Sequence, residues 1–300
     1  MTRSNRPKRA SRRWAFAVLA VALGLSACEI DDEVSEDDEP VAGTSSVFEL
    51  FRVQQDLDDA FNIVFVPDGS YGDLSVLANR QAFVTDIADV VENGYWQNQA
   101  YFNGLFSYNY FYMTTSGSVV EQPPDADGNF QCPTVTWPAE VDTQAAFADQ
   151  LLLIHSNELR DCGGGGRATA EPTSFRTVVH ETGHGLFGLP DEYCCDSFYR
   201  EVVPVMYESE ADCEGDATNA SWRDCRSLTS SRDGSVWWRS QGDINSNLIM
   251  LSAGDTVFES GPADWWVMGD AYDDLGASVS NPTVFAPDPW DYNVPPPFTP

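Results

Sequence analysis

Lysine is almost missing from this 300-residue chain, with Lys8 the only one, and basic residues of both kinds number 16 against 47 acidic ones, for a formal net charge of −31. Six of the basic residues precede Cys28 and every acidic residue follows it, so the chain from Cys28 onward holds ten basic against 47 acidic residues, a net −37. A surface of that sign repels nucleic-acid phosphates and anionic lipid headgroups, which excludes nucleic acid as a partner and requires any membrane attachment to come from a lipid. Histidine is scarce too, at three residues. No C-x-x-C pair occurs, which counts against a thiolate metal site, and there is no internal repeat. The apolar run from Trp14 to Leu25 is shorter than the roughly 20 residues that a permanent membrane helix needs.

That run has a different meaning in its context. Arg3, Arg6, Lys8, Arg9, Arg12 and Arg13 precede it and Ser26-Ala27-Cys28 follow it, the order of a positive n-region, an apolar h-region and a small-residue cleavage site. Leu25-Ser26-Ala27-Cys28 resembles a bacterial lipobox, in which the cysteine becomes the lipid-bearing N-terminus. The expectation is a signal peptide over residues 1–27, lipid attachment at Cys28, and a lipoprotein in the bacterial cell envelope, anchored at the outer membrane or cell surface. Removing Cys28 leaves Cys132, Cys162, Cys194, Cys195, Cys213 and Cys225, an even set that an oxidising compartment would pair into disulfides.

Residues 28–45 are acidic and small, with little to bury, and read as a disordered tether. Residues 281–300 mix Pro with aromatics and read as an extended tail. The domain is expected over 46–280. Within it Phe61–Val66 forms a β-branched and aromatic strand closed by Pro67-Asp68-Gly69. A helical stretch spans 73 to 92, Gly104–Tyr112 supplies a second strand and Gln150–His155 a third. Strands interleaved with helices predict an α/β (α+β) architecture: a mixed twisted sheet, an active-site helix and a smaller C-terminal lobe stapled by disulfides. Asp125-Ala126-Asp127-Gly128-Asn129 imitates the start of a calcium loop, but Thr136 stands where the twelfth-position Glu belongs, so the segment reads as a turn.

The chemistry concentrates in Ser174–Tyr193, SFRTVVHETGHGLFGLPDEY. On a helix, residues four apart share a face, so His180 and His184 can direct their imidazoles at one ion, expected to be Zn2+, while Glu181 serves a water there as general base. Two of the chain's three histidines lie in this motif. Thr173 and Ser174 can cap the helix, Phe175, Val178 and Val179 give it an apolar face, and Gly188 stops it. A catalytic zinc takes three protein ligands and keeps one open position. Asp191 and Glu192, just past the glycine turn, are both within reach as the third, and His155 is a more remote candidate.

The segment resembles the bacterial IgA-peptidase family of zinc metallopeptidases, which carries His-Glu-x-Gly-His followed by Gly-Leu-x-Asp-Glu-Tyr, as at Gly188–Tyr193 here. The likeness extends to the strands around Phe61–Gly69 and Tyr101–Gly117 and to the glycine-rich stretch in Leu151–Gly166, and covers about 46–280. It implies a metzincin-like catalytic domain that hydrolyses peptide bonds of extracytoplasmic proteins. By analogy with metzincins, where the glycine turn brings a ligand three residues on, Asp191 is the third ligand and Glu192 the runner-up. The resemblance also implies a supporting methionine, with Met250 the candidate and Met206 second, and a substrate-pairing sheet edge at Gly163–Gly166. That glycine run reads equally as a flexible linker. A bridge between Cys132 and Cys162 would hold this rim, and bridges from Cys194 and Cys195 to Cys213 and Cys225 would staple the loop beyond the ligands. Trp237, Trp238, Trp265 and Trp266 either wall the cleft or fill the core. The competing reading is a non-catalytic surface lipoprotein that contains structural zinc and binds a protein or polysaccharide.

Overall fold

In β2 (Phe61–Pro67) every residue is buried, and its side chains alternate between two apolar layers: Ile63 and Phe65 on one face of the sheet, Val64 and Val66 on the other. Such a strand belongs at the centre of a sheet covered on both sides. A computed structural model, which describes residues 47–52, 61–96, 108–128, 131–192, 199–241, 250 and 260–274, places it there.

The main sheet has six strands in the order β1-β3-β2-β6-β8-β7, formed by β1 (Val47–Arg52), β3 (Tyr108–Met113), β6 (Gln150–Ile154), β7 (Gly163–Gly164) and β8 (Arg167–Ala170) around β2. The four inner strands β3, β2, β6 and β8 run parallel, and the edge strands β1 and β7 run antiparallel to their neighbours. A parallel pair needs a crossover, and α1 (Leu77–Asp89), continued by wider π-helical turns over Val90–Trp96, provides the one from β2 to β3. The helix starts later than the sequence pattern suggests because Asp73 accepts a hydrogen bond from the Ser75 backbone N–H and turns the chain there. Phe83 and Ile87 of α1 pack with Tyr95, Tyr110, Leu152, Val178 and Val179 in the larger core. The opposite face is closed by Val141, which opens the short α2 (Val141–Gln144), and by Ala145 just past its end. A hairpin of β4 (Ser118–Val120) and β5 (Thr134–Thr136) encloses the Asp125–Gly128 turn, closed by the Gly128 N–H to the Asp125 carbonyl at 3.0 Å.

The C-terminal part holds β9 (Met206–Tyr207), α4 (Glu210–Gly215), β10 (Arg226–Thr229), β11 (Val236–Arg239) and α5 (Pro262–Asp274), with a three-stranded sheet β10-β11-β9. Its buried Val205, Trp222, Met250, Trp265 and Met268 belong to the same cluster as the helix face of the main sheet. Val178 and Val179 of helix α3 (Phe175–Thr182) belong to that cluster as well. Among the described residues no helix is long and apolar enough to cross a membrane.

Among the described residues two disulfides are present. Cys132 joins Cys162 as expected, but Cys213 joins Cys225, which corrects the expectation that Cys194 and Cys195 take those partners. The physical reason is local: α4 and the lead into β10 lie against the same small sheet, bringing the two Cα atoms to 6.2 Å. Cys194 and Cys195 lie outside the described residues, as do Cys28, the leader, the tether and the tail.

Candidate metal and catalytic site

Helix α3 begins at Phe175 with Ser174 in the capping position, but the Ser174 hydroxyl donates to Glu171 Oε2 at 3.0 Å and caps no backbone N–H. The helix is held instead by its buried face, Val178 and Val179, and by Thr182, whose hydroxyl bonds the Val178 carbonyl at 2.8 Å and meets the Tyr95 hydroxyl at 2.7 Å. Past Thr182 the turns widen into a π-helical segment, Gly183–Phe187, which ends at Gly188 in the left-handed conformation with φ 69°. Only glycine takes that conformation without strain. It reverses the chain so that Leu189 to Glu192 run back past the histidines.

The outcome is three converging donors. His180 Nε2 and His184 Nε2 lie 3.1 Å apart, and Asp191 Oδ1 lies 3.1 Å from each. Ligands bound at about 2.0–2.1 Å around a tetrahedral ion stand roughly 3.3–3.4 Å from one another, so the triangle fits a metal ion with little adjustment. His184 Nδ1 donates to the Leu189 carbonyl at 2.7 Å, which leaves the Nε2 lone pair for the cluster. The electrostatics agree that this spot collects positive charge. Burial opposes protonation of His184, yet the hydrogen bond and charge of Asp191 outweigh it and raise its pKa to about 9. Burial likewise works to raise Asp191, but hydrogen bonds from both histidines hold its carboxyl well below the usual range.

Glu181 lies beside the cluster and outside it. It is 6% exposed, its Oε2 has no hydrogen-bond partner, and burial raises its pKa to about 7 against the opposing charges of His180 and His184. A cleft of about 240 Å³ opens onto it, lined by the three donors, by Arg160, Asp161, Leu189 and Arg200, and by the Cys132–Cys162 bridge with Gly163 and Gly164. The glycine run is a hairpin edge, which settles the choice against a linker: Gly163–Gly164 form β7, and Gly165 and Gly166, with φ 59° and 79°, make the tight turn into β8. A Cβ on Gly163 would sit 2.5 Å from the Glu181 carbonyl oxygen. The sheet edge therefore lies directly against the residue that follows His180.

No family model, curated protein or solved structure matches the chain. The geometry has to speak for itself, and it separates the sequence candidates. Asp191 is in the cluster and Glu192 is not. Glu192 is fully buried behind it, with its N–H on the Met250 carbonyl at 2.9 Å, its own carbonyl accepting from Arg239 Nη1 at 2.6 Å, and its side chain held by Gln241 and Asp264. His155 is also outside, fully buried and paired with Asp161 at 2.8 Å. Met250 is buried in the core, tied by its carbonyl to the residue after Asp191, while Met206 sits in β9. Trp265 is core, and none of Trp237, Trp238, Trp265 and Trp266 lines the cleft.

The Glu192–Gln241–Asp264 cluster has no signature in the sequence. Its three side chains come from distant segments and carry no local pattern. Gln241 Nε2 donates to both carboxyls, at 3.2 Å to Asp264 Oδ2, and Gly261 N–H donates to Asp264 at 3.0 Å. Burial together with the Asp264 charge pushes Glu192 well above its ordinary value, and Asp264 is raised by burial too. An unfolded Glu releases its proton near 4.5, so the stability from this pair is complete below that pH and declines as pH rises through the folded value, by about 1.4 kcal/mol per pH unit per proton. Glu192→Gln should flatten this decline, so that the melting temperature of the variant gains on that of the parent as pH rises above 4.5, as read by thermal denaturation across a pH series.

Proposed function

We propose that the chain is a zinc-dependent endopeptidase, exported as a lipoprotein, that cleaves extracytoplasmic proteins on a metzincin-like scaffold. The observation that carries this reading is the triangle of His180, His184 and Asp191 donors beside a cleft on which a buried, unpartnered Glu181 opens. Three donors leave a zinc ion an open position, whereas structural zinc sites are closed by four protein ligands. Zinc, when bound, supplies Lewis acidity toward a carbonyl and acidifies water.

The remaining work falls to the chain's own residues. Glu181 accepts the proton of the attacking water and returns it to the leaving amide nitrogen, and a pKa near neutrality suits both transfers. Among the described residues no strand pairs with the outer side of β7, which leaves it for an extended peptide, and its missing side chains let the peptide backbone approach. The Leu189 carbonyl orients His184, and the Cys132–Cys162 bridge holds the rim. Met250 supports the ligand turn from within the core.

The test is direct. The purified protein should bind one zinc ion per chain and cleave a denatured protein mixture. It should lose that activity to a chelator and recover it on adding zinc. Full zinc occupancy with no cleavage of any protein substrate would favour the non-catalytic lipoprotein instead.

A further inference from the structure

Asp161 takes no part in the donor triangle, yet it lines the cleft and also a second cavity of about 270 Å³ that shares Arg160, Asp161, His180 and Glu181 with it. The two cavities flank Glu181, one toward Asp191 and the β7 edge, the other toward the start of α3 at Ser174 and Thr177. The Asp161 side chain is 5% exposed. Its Oδ1 is 2.8 Å from His155 Nε2, and among the described residues His155 is its only side-chain partner. His155 is itself fully buried just past β6, so the ring cannot follow the carboxylate into water. With Oδ1 held by His155, the second oxygen of the carboxylate, which has no partner among the described residues, can accept from a cation brought to it.

The rest of the second cavity has the same sign. Asp161 and Glu171 face it together with Glu181, against Arg160 and His180. The whole chain, at −31, draws cations toward any cleft it offers. These are separate observations, one local and one global, and both select positive charge.

We infer that this second cavity is a substrate subsite for an organic cation of the peptide, with Asp161, oriented by His155, as the specificity residue. The inference rests on the peptidase reading for the word substrate, while the cation site stands on its own binding test. A Lys or Arg side chain and a free peptide α-amine share the required chemistry.

The experiment measures binding, so that it is readable whether or not the chain cleaves peptides. The full-length Glu181→Gln protein is titrated with dye-labelled, N-acetylated peptides that differ only in Lys, norleucine or Glu at one scanned position. At one or more positions Lys should bind about tenfold or more tighter than norleucine, the range of a partly buried charge-assisted hydrogen bond, and the preference should shrink at high salt. Adding Asp161→Asn should bring the ratio to about one. A preference seen only with unacetylated peptides, and lost in Asp161→Asn, keeps the cation site and assigns its occupant as an α-amine. A ratio near one at every position with both peptide forms, or a ratio that survives Asp161→Asn, overturns the inference. Should circular dichroism show Asp161→Asn unfolded, Glu171→Gln on the same background decides, with a reduced ratio supporting the subsite and an unchanged ratio rejecting it.

Discussion

Glu181→Ala is expected to lower kcat for peptide cleavage by about 10²–10⁴-fold, the range that a positioned acid–base group contributes, with the metal content unchanged. The proposed metal donors are His180, His184 and Asp191, all of which the variant retains. What it removes is the group beside those donors, a carboxyl with no hydrogen-bond partner on Oε2 and a pKa raised by burial to about 7. A buried polar group without a partner costs folding free energy, so the melting temperature should hold or rise. Elemental analysis, thermal denaturation and turnover of a quenched peptide together read the three quantities. Equal turnover by parent and variant would sink the proposed role of Glu181.

Asp191→Asn should have a comparably large effect, but on the metal. An amide keeps the shape of the side chain while removing the charge that hydrogen bonds from two histidines stabilise. Zinc affinity should fall by more than about 100-fold, beyond the 10–100-fold typical of outer-shell changes. Glu192→Gln should stay within that outer-shell range, because Glu192 touches Gln241 and Asp264 and none of the donors. Competitive titration with a chromophoric chelator distinguishes the two. A larger loss in Glu192→Gln than in Asp191→Asn would reverse the ligand assignment.

The contrast between these neighbouring carboxylates shows how far a sequence can be read. His180 and His184 are legible because a helix places i and i+4 on one face whatever surrounds it. Gly188 is legible as a helix stop because the left-handed conformation favours glycine. Asp191 and Glu192 follow in a segment that is neither helix nor strand, where adjacent side chains diverge and the choice of which one faces the histidines belongs to the packing behind. Here that packing is Arg239, Gln241, Met250 and Asp264, residues between 47 and 72 positions further along the chain. The same logic applies to the strands. Phe61–Val66 announces itself by composition, whereas the edge position of β7 and its contact with Glu181 depend on sheet order.

The sequence by itself determined the helix that sets His180 and His184 four residues apart with Glu181 between them, the glycine turn, the central strand and the overwhelmingly negative charge. These are properties of composition and of spacings within a few residues, where backbone geometry alone relates one side chain to the next. Only the tertiary structure decided that Asp191 completes the donor triangle and that Glu192 is buried behind it. It likewise decided that Cys213 pairs with Cys225, that the glycine run is a sheet edge, and that His155 holds Asp161 at the cleft. Each of those depends on segments far apart in the chain being packed together, and the free energy that selects the arrangement comes from burying them against a common core.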